Sequence, residues 1–281
     1  MTTNVVRLFD RLADSYDELE PWYEHLYAQL EAIVRATLAR PPAGARALDA
    51  GCGTGFQSAL LRNLGFTTHG VDLSAGLLAI ATKNLPDVSF ARGDVEALPY
   101  RDASFDAVCC CGSTLSFLEA PAHALAEIAR VLRPGGLLLL ECEHKWSLDL
   151  AWAFASALTR DALGYRVTWT EAWRQVARPL REGFRLDYPC ALPDGAQAYM
   201  RLRLFTMGEL DGMLGASGLV RRRVWGIHAA TNVIPSTVLH RDVLPRPLAA
   251  LYRALCALDS VLAGTPARRL ANSVVVLATK A

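Results

Sequence analysis

The segment Leu48-Asp49-Ala50-Gly51-Cys52-Gly53-Thr54-Gly55 brings a carboxylate to the mouth of a glycine-rich turn. Three glycines at alternate positions let a backbone turn tightly and approach a ligand closely, since none carries a Cβ. The apolar run before the loop predicts a strand, and the residues after it predict a helix, so Asp49 stands at a strand end. A nucleotide pyrophosphate would be repelled by that carboxylate, whereas an amino or ammonium group would be held by it. The chemistry points to a nucleoside ligand that carries positive charge. The dinucleotide fingerprint asks for glycine at the first, third and sixth loop positions. Here Gly51 and Gly53 fit, but the sixth position is Phe56, and the third glycine comes one place early at Gly55.

Further acidic residues recur at predicted strand ends. Asp72 closes Thr68-His69-Gly70-Val71-Asp72, where a carboxylate can accept hydrogen bonds from ribose hydroxyls. Asp94, in Arg92-Gly93-Asp94-Val95, is suited to accept from an exocyclic amine such as adenine N6. Ser104 to Cys110 reads as a fourth strand. Val131-Leu132-Arg133-Pro134-Gly135-Gly136 followed by Leu137 to Glu141 reads as a helix stop, a turn and a fifth strand.

This ordered set resembles the class I S-adenosylmethionine-dependent methyltransferases, within them the small-molecule group that includes the ubiquinone and menaquinone methyltransferases (type 11). It covers Phe9 to about His144 and resumes from Phe205 to Lys280. The resemblance implies an α/β fold, a doubly wound Rossmann-like seven-stranded sheet, with S-adenosylmethionine as cofactor. By the same resemblance Gly51 and Gly53 pack under the cofactor, with Cys52 between them, and Asp49 lies near its methionine amino group. Asp72 and Leu73 meet the ribose, Asp94 and Val95 the adenine, and Cys111 the same pocket from the fourth strand. The Phe9-Asp10…Ala13…Tyr16-Asp17 run matches a segment that closes over the cofactor, with Tyr16 near the methionine end.

The elements that must position these groups follow from the pattern. Residues 1–40 read as two helices ended by Pro41-Pro42-Ala43-Gly44, and residues 45–144 alternate strand and helix signals. The core half of the fold is therefore expected over 1–144. Residues 145–204, rich in tryptophan and arginine, break the alternation and read as an inserted cap. Residues 205–281 restore the core, with a sixth strand at Leu219 to Trp225, a closing strand at Ser273 to Thr279, and a second insertion over 227–271. In that insertion Leu248, Leu251, Leu255, Leu258 and Leu262 predict a helix with a single apolar stripe.

At 281 residues with a formal net charge of +1, the chain can bury a full core and gives no reason to expect nucleic acid. Its seven cysteines form no CxxC pair, which suits a reduced, cytoplasmic protein. No apolar signal core accompanies the early Asp10, Asp14, Asp17 and Glu18, so export is not expected. No apolar stretch reaches the ~20 residues of a membrane span. Tryptophans with Arg166, Arg174, Arg178, Arg181 and Arg185 leave peripheral membrane contact open, and the oligomeric state is not legible.

Methyl transfer from a sulfonium asks chiefly for orientation. A general base is needed only where the acceptor is protonated. His144, at the carboxyl end of the fifth strand, is the first candidate for that base. His228, in the second insertion, is the next, and His240 lies nearby. Glu143 should point away from His144, on one face with Glu141, which reads as a solvated or cofactor-side carboxylate. Cys109-Cys110-Cys111 faces alternate sides of a strand and reads as small apolar filler, so no metal is expected. Gly112, Ser113 and Thr114 border both cofactor and acceptor in the resembled fold. Arg221-Arg222-Arg223 reads as a solvated face of an edge strand. The expected function is methyl transfer to oxygen or carbon of a small, apolar or aromatic acceptor, with Trp146, Trp152, His144, His228 and Asn232 in the acceptor wall. A non-catalytic S-adenosylmethionine-binding protein and a nicotinamide-dependent oxidoreductase are the alternatives.

Overall fold

Short apolar runs alternate with amphipathic segments from Ala45 onward, and the chain folds as that alternation demands. The computed structural model describes residues 3–13, 21–177, 184–191, 197–240 and 244–281. Two helices, α1 (Thr3–Leu12) and α2 (Pro21–Thr37), precede β1 (Arg46–Ala50), α3 (Phe56–Asn63), β2 (Thr67–Asp72), α4 (Ala75–Asn84), β3 (Ser89–Arg92) and β4 (Phe105–Cys110). Then come α5 (Thr114–Phe117), α6 (Pro121–Val131), β5 (Leu132–Glu143), α7 (Leu148–Leu158), α8 (Trp169–Ala177), β6 (Phe184–Ala191) and β7 (Gln197–Leu204). The chain closes with α9 (Met207–Ala216), β8 (Leu219–Ile227), α10 (Ser236–Leu239), α11 (Arg246–Leu262) and β9 (Ser273–Lys280).

Seven strands form one sheet in the order β3-β2-β1-β4-β5-β9-β8. β9 runs antiparallel to both β5 and β8, and the neighbouring pairs from β3 to β5 are parallel. The order reverses between β1 and β4, which opens a crevice at the carboxyl ends of those strands. Alternate residues of each strand feed opposite faces. Leu48, Val108 and Leu138 pack with Leu125, Ile128 and Phe205 on one face. Ala47, Cys109 and Leu139 pack with Leu30, Ile33 and Leu61 on the other. The three successive cysteines are free and buried, as small filler should be. Arg221, Arg222 and Arg223 stand exposed on the edge strand β8.

Two elements differ from expectation. β5 starts at Leu132, before the Pro-Gly-Gly turn rather than after it. The ladder with β4 skips from Phe105↔Leu132 to Ala107↔Leu137, so the turn is absorbed as a bulge. In α11 only part of the leucine stripe faces inward, with Leu248 and Leu255 packed against the cluster of Trp22, Ile234 and Tyr252. Leu251 and Leu258 are 51% and 45% exposed, and Tyr252 and Asp259 take the inner positions. Asp259 is hydrogen-bonded on its inner side and turns the helix to reach its donors, so polar pairing overrides the leucine period here.

The segment 145–204 folds as α7, α8 and the β6–β7 hairpin, and 227–271 as α10, α11 and two short 3-10 turns. Asp149 ties the two segments together. Its backbone N–H donates to Asn232 Oδ1 at 2.9 Å, while Asn232 Nδ2 returns a bond to Asp149 Oδ1 at 2.9 Å. Asn272 Nδ2 donates to Oδ2 at 3.0 Å, and the Tyr165 hydroxyl donates to Oδ1. Trp152 adds a bond from Nε1 to the Asn232 carbonyl at 2.8 Å. Removing this carboxylate strands several buried donors. Asp149→Ala is expected to destabilise the fold by about 2–4 kcal/mol. Hydrogen exchange should quicken first over 148–158 and 231–239, and unchanged protection there would refute the hub.

Candidate functional site

The crevice at the β1–β4 reversal is built on Asp49. Ser58 Oγ, on α3, donates to Asp49 Oδ2 at 2.6 Å. Oδ1 is buried and has no hydrogen-bond partner among the described residues. Burial raises the carboxyl to about 7, against the opposing bond from Ser58. A buried carboxylate oxygen left open costs free energy unless a ligand supplies the missing donor. The amino group of a cationic nucleoside would supply one.

Backbone geometry shapes the floor. Gly51 N–H and Cys52 N–H both donate to the Val71 carbonyl, at 2.8 and 3.0 Å, which folds the loop onto β2. Gly51 has φ +80, and a Cβ there would meet the Thr114 side chain at 2.4 Å. Gly53 N–H donates to Asp72 Oδ2 at 3.0 Å, and Ser74 N–H to Oδ1 at 2.8 Å. Asp72 is thus aimed by the loop it faces, and its remaining lone pairs are available to hydroxyls.

The cleft over this floor is lined by Gly51, Cys52, Gly53 and Asp72, by Cys111 and Gly112 after β4, and by aromatic walls from Phe9, Tyr27 and Phe117. Phe9 and Phe117 meet edge-on with centroids 5.3 Å apart. Helix α1 is held across the opening by Asp10, which accepts from Ser74 Oγ and from Gly76 N–H at 3.1 Å. The Ser74 hydroxyl also caps α4, accepting from Leu77 N–H at 3.2 Å. That bond from Ser74 holds the Asp10 carboxyl below its ordinary range.

Of the residues singled out in the sequence, Gly51, Cys52, Gly53, Asp72 and Cys111 line the cleft, and Asp49 lies buried at the end of β1. Leu73, Asp94 and Val95 do not line it. Leu73 gives its carbonyl to Arg92, Asp94 accepts from Glu96 N–H at 2.9 Å, and Val95 is core. Tyr16 falls outside the described residues. His144 does not line the cleft either: its buried ring holds Nδ1 3.2 Å from the Ala271 carbonyl, and burial lowers its pKa. His228 is buried, with its ring stacked on Trp22 at 3.6 Å.

Glu141 and Glu143 share the opposite side of β5 from His144. Glu141 is fully buried, not solvated, and accepts from Ser113 N–H at 2.6 Å. Ser113 Oγ donates to Glu143 Oε1 at 2.9 Å. Ser113 lies between Gly112 and Thr114, which both line the cleft, and it holds a left-handed φ of +58. Glu143 is only half-buried, and burial together with Glu141 pushes its carboxyl up to about 8. Residue patterning missed this Ser113–Glu143 link, along with Tyr27, Gln57 and Phe117. Phe9 alone among the aromatic walls had a signal, in the Phe-Asp run.

A family model described as "Methyltransferase domain" matches residues 48–140. The malonyl-[acyl-carrier protein] O-methyltransferase of Erwinia pyrifoliae is 36% identical over 233 residues, covering 79% of this chain and 85% of that protein. The demethylmenaquinone methyltransferase of Renibacterium salmoninarum is 36% identical over 149 residues, with 48% of this chain matching 60% of that protein's length. Among solved structures, the CcbJ methyltransferase of Streptomyces caelestis covers 98% of each chain at 19% identity with a TM-score of 0.60, a likeness of fold.

The open Asp49 oxygen generates a pH prediction. The free carboxyl titrates at about 7, and a bound ammonium favours its ionised form. Affinity for S-adenosylmethionine should therefore rise about tenfold between pH 6 and pH 8, with proton release on binding. Asp49→Asn should bind more weakly and flatten that rise. Calorimetry at both pH values in two buffers of different ionisation enthalpy checks both effects.

Proposed function

The chain belongs to the S-adenosylmethionine-dependent methyltransferases, and on that premise we propose that it methylates an oxygen or carbon atom of a small apolar or aromatic acceptor. The observation that carries the reading is the open, buried Asp49 oxygen beside Gly51, where any Cβ would collide with the Thr114 side chain. When bound, S-adenosylmethionine supplies a methyl group already activated on a sulfonium. What this chain adds is placement. Asp49 would hold the amino group, Asp72 the ribose hydroxyls, and Phe9 and Phe117 would keep water from the cleft. Holding the two reactants in line is the larger part of the rate gain.

The acceptor side is read from the insertions. Segments 145–204 and 227–271 join the carboxyl ends of β5 and β8, the edge that also carries the cofactor loop. Trp146, 39% exposed just beyond β5, supports an apolar or aromatic partner. The Erwinia relative, an O-methyltransferase by name, supports oxygen. A hydroxyl or carboxylic acid acceptor must shed its proton as the new bond forms. Glu143 would take that proton in place of His144, because it hangs on the cleft loop through Ser113 while His144 is bonded to Ala271.

Calorimetry with S-adenosylmethionine and S-adenosylhomocysteine should give micromolar binding. Tight binding of a nicotinamide nucleotide with no heat from either would overturn the reading. Release of S-adenosylhomocysteine in the presence of phenolic or carboxylic acceptors separates an enzyme from a silent binder. With a turned-over acceptor, Glu143→Gln should keep cofactor affinity within about threefold and lower turnover about a hundredfold. The base works ionised, so the wild-type rate should rise with pH through about 8, and the variant should lose that limb. An unchanged pH profile would remove Glu143 from the reaction.

A further inference from the structure

Three ionisable side chains outside the cleft meet where α2, the end of β8 and α11 come together. His25 Nε2 stands 3.2 Å from Asp259 Oδ2. One donor atom of each of His25, His228 and Asp259 lies within 4.8 Å of the others. All three residues are buried, at 7%, 0% and 1% exposure. We propose that His25, His228 and Asp259 form a binding site for one divalent first-row metal ion, with zinc the best match.

The hydrogens identify the free donor. Thr231 Oγ1 lies 2.6 Å from Asp259 Oδ2 and 2.9 Å from His228 Nδ1. An ionised carboxylate only accepts, so the single threonine proton goes to Asp259. Thr231 Oγ1 then accepts from His228 Nδ1–H, which leaves Nε2 with a bare lone pair. That Nε2 is buried and without a partner among the described residues. An imidazole with one nitrogen anchored and the other bare is the form in which histidine binds metals, and the Thr231 bridge is the kind of outer contact that orients such ligands. The ring is also held in place: His228 takes a left-handed φ of +62, and Trp22 stacks on it within 8° of parallel. Strain of this kind persists where the surroundings impose it.

Distance and charge agree with the donor set. Zinc bonds of about 2.0–2.2 Å in a tetrahedron separate neighbouring donors by roughly 3.3–3.6 Å. His25 and Asp259 already stand 3.2 Å apart. Two imidazoles and a carboxylate suit zinc and its neighbours, whereas magnesium and calcium prefer oxygen alone. The Asp259 carboxylate adds the negative charge that attracts a divalent cation. The ligands come from α2, the residue after β8, and α11, far apart in sequence, so no local ligand spacing announces them.

The proposal does not rest on methyl transfer and is tested without an acceptor. The untagged full chain, stripped with a chelator, is dialysed against zinc and its metal content measured. One zinc per chain is expected. His228→Gln and Asp259→Asn should each weaken binding at least tenfold, while His123→Gln, an exposed histidine, should bind as wild type. X-ray absorption of the zinc-loaded wild type should show nitrogen and oxygen neighbours with imidazole scattering. This spectrum decides alone if a variant does not fold. Wild-type protein that retains no zinc, retention undiminished in His228→Gln, or sulfur in the first shell would each overturn the site.

Discussion

A carboxylate buried at the end of a central strand, with only half of its hydrogen bonds made, constrains everything around it. Asp49 sits at β1, next to the point where the strand order reverses, and cannot retreat to solvent. The loop above it must come close, which excludes side chains at Gly51, and must present amides, which it does by folding onto Val71 and Asp72. The helix that follows contributes Ser58 to one oxygen and leaves the other open. Strand, loop and helix are therefore arranged around one buried carboxylate oxygen without a donor among the described residues. A fold that merely wanted stability would do better with a leucine there, since an unpaired buried carboxylate is a liability without its partner.

The remainder of the site hangs from this centre through short polar links. Asp72 is aimed by Gly53 and Ser74, Ser74 caps α4, and the same hydroxyl holds Asp10 and so brings α1 with Phe9 across the opening. On the far side, Ser113 carries Glu143 to the end of the β4 loop. Two residues in left-handed backbone, Ser113 and His228, mark the ends of β4 and β8 on the same sheet edge.

The fold was legible because its signals are local. A strand needs a short apolar run, and the glycine loop, Asp72 and the β5 core announce themselves within a few residues. The glycine loop and Asp72, which line the cleft, were legible for the same reason. What escaped depends on contacts across the chain. Leu251 and Leu258 keep helical period yet face outward, because Asp259 must reach Ala230 and Thr231 on the inner side. His144 sits at the end of β5 with its ring against the Ala271 carbonyl, while Glu143, on the other side of the strand, meets Ser113 between two cleft-lining residues. Leu73 follows β2, and Asp94 and Val95 follow β3, outside the residues that line the cleft.

The two insertions make the same point about polar burial. Each is organised by one carboxylate, Asp149 for α7 and its neighbours and Asp259 for α11, and each gathers donors from segments distant in sequence. An apolar contact would hold these helices in many orientations, whereas a carboxylate with several fixed donors accepts one. The cost is desolvation, and it is offset only where every lone pair is met. Asp259 meets that condition through His25, Thr231 and the Ala230 amide. The bare His228 nitrogen beside it does not, which is why that corner, and not the better-satisfied Asp149, is where a ligand has a place to bind.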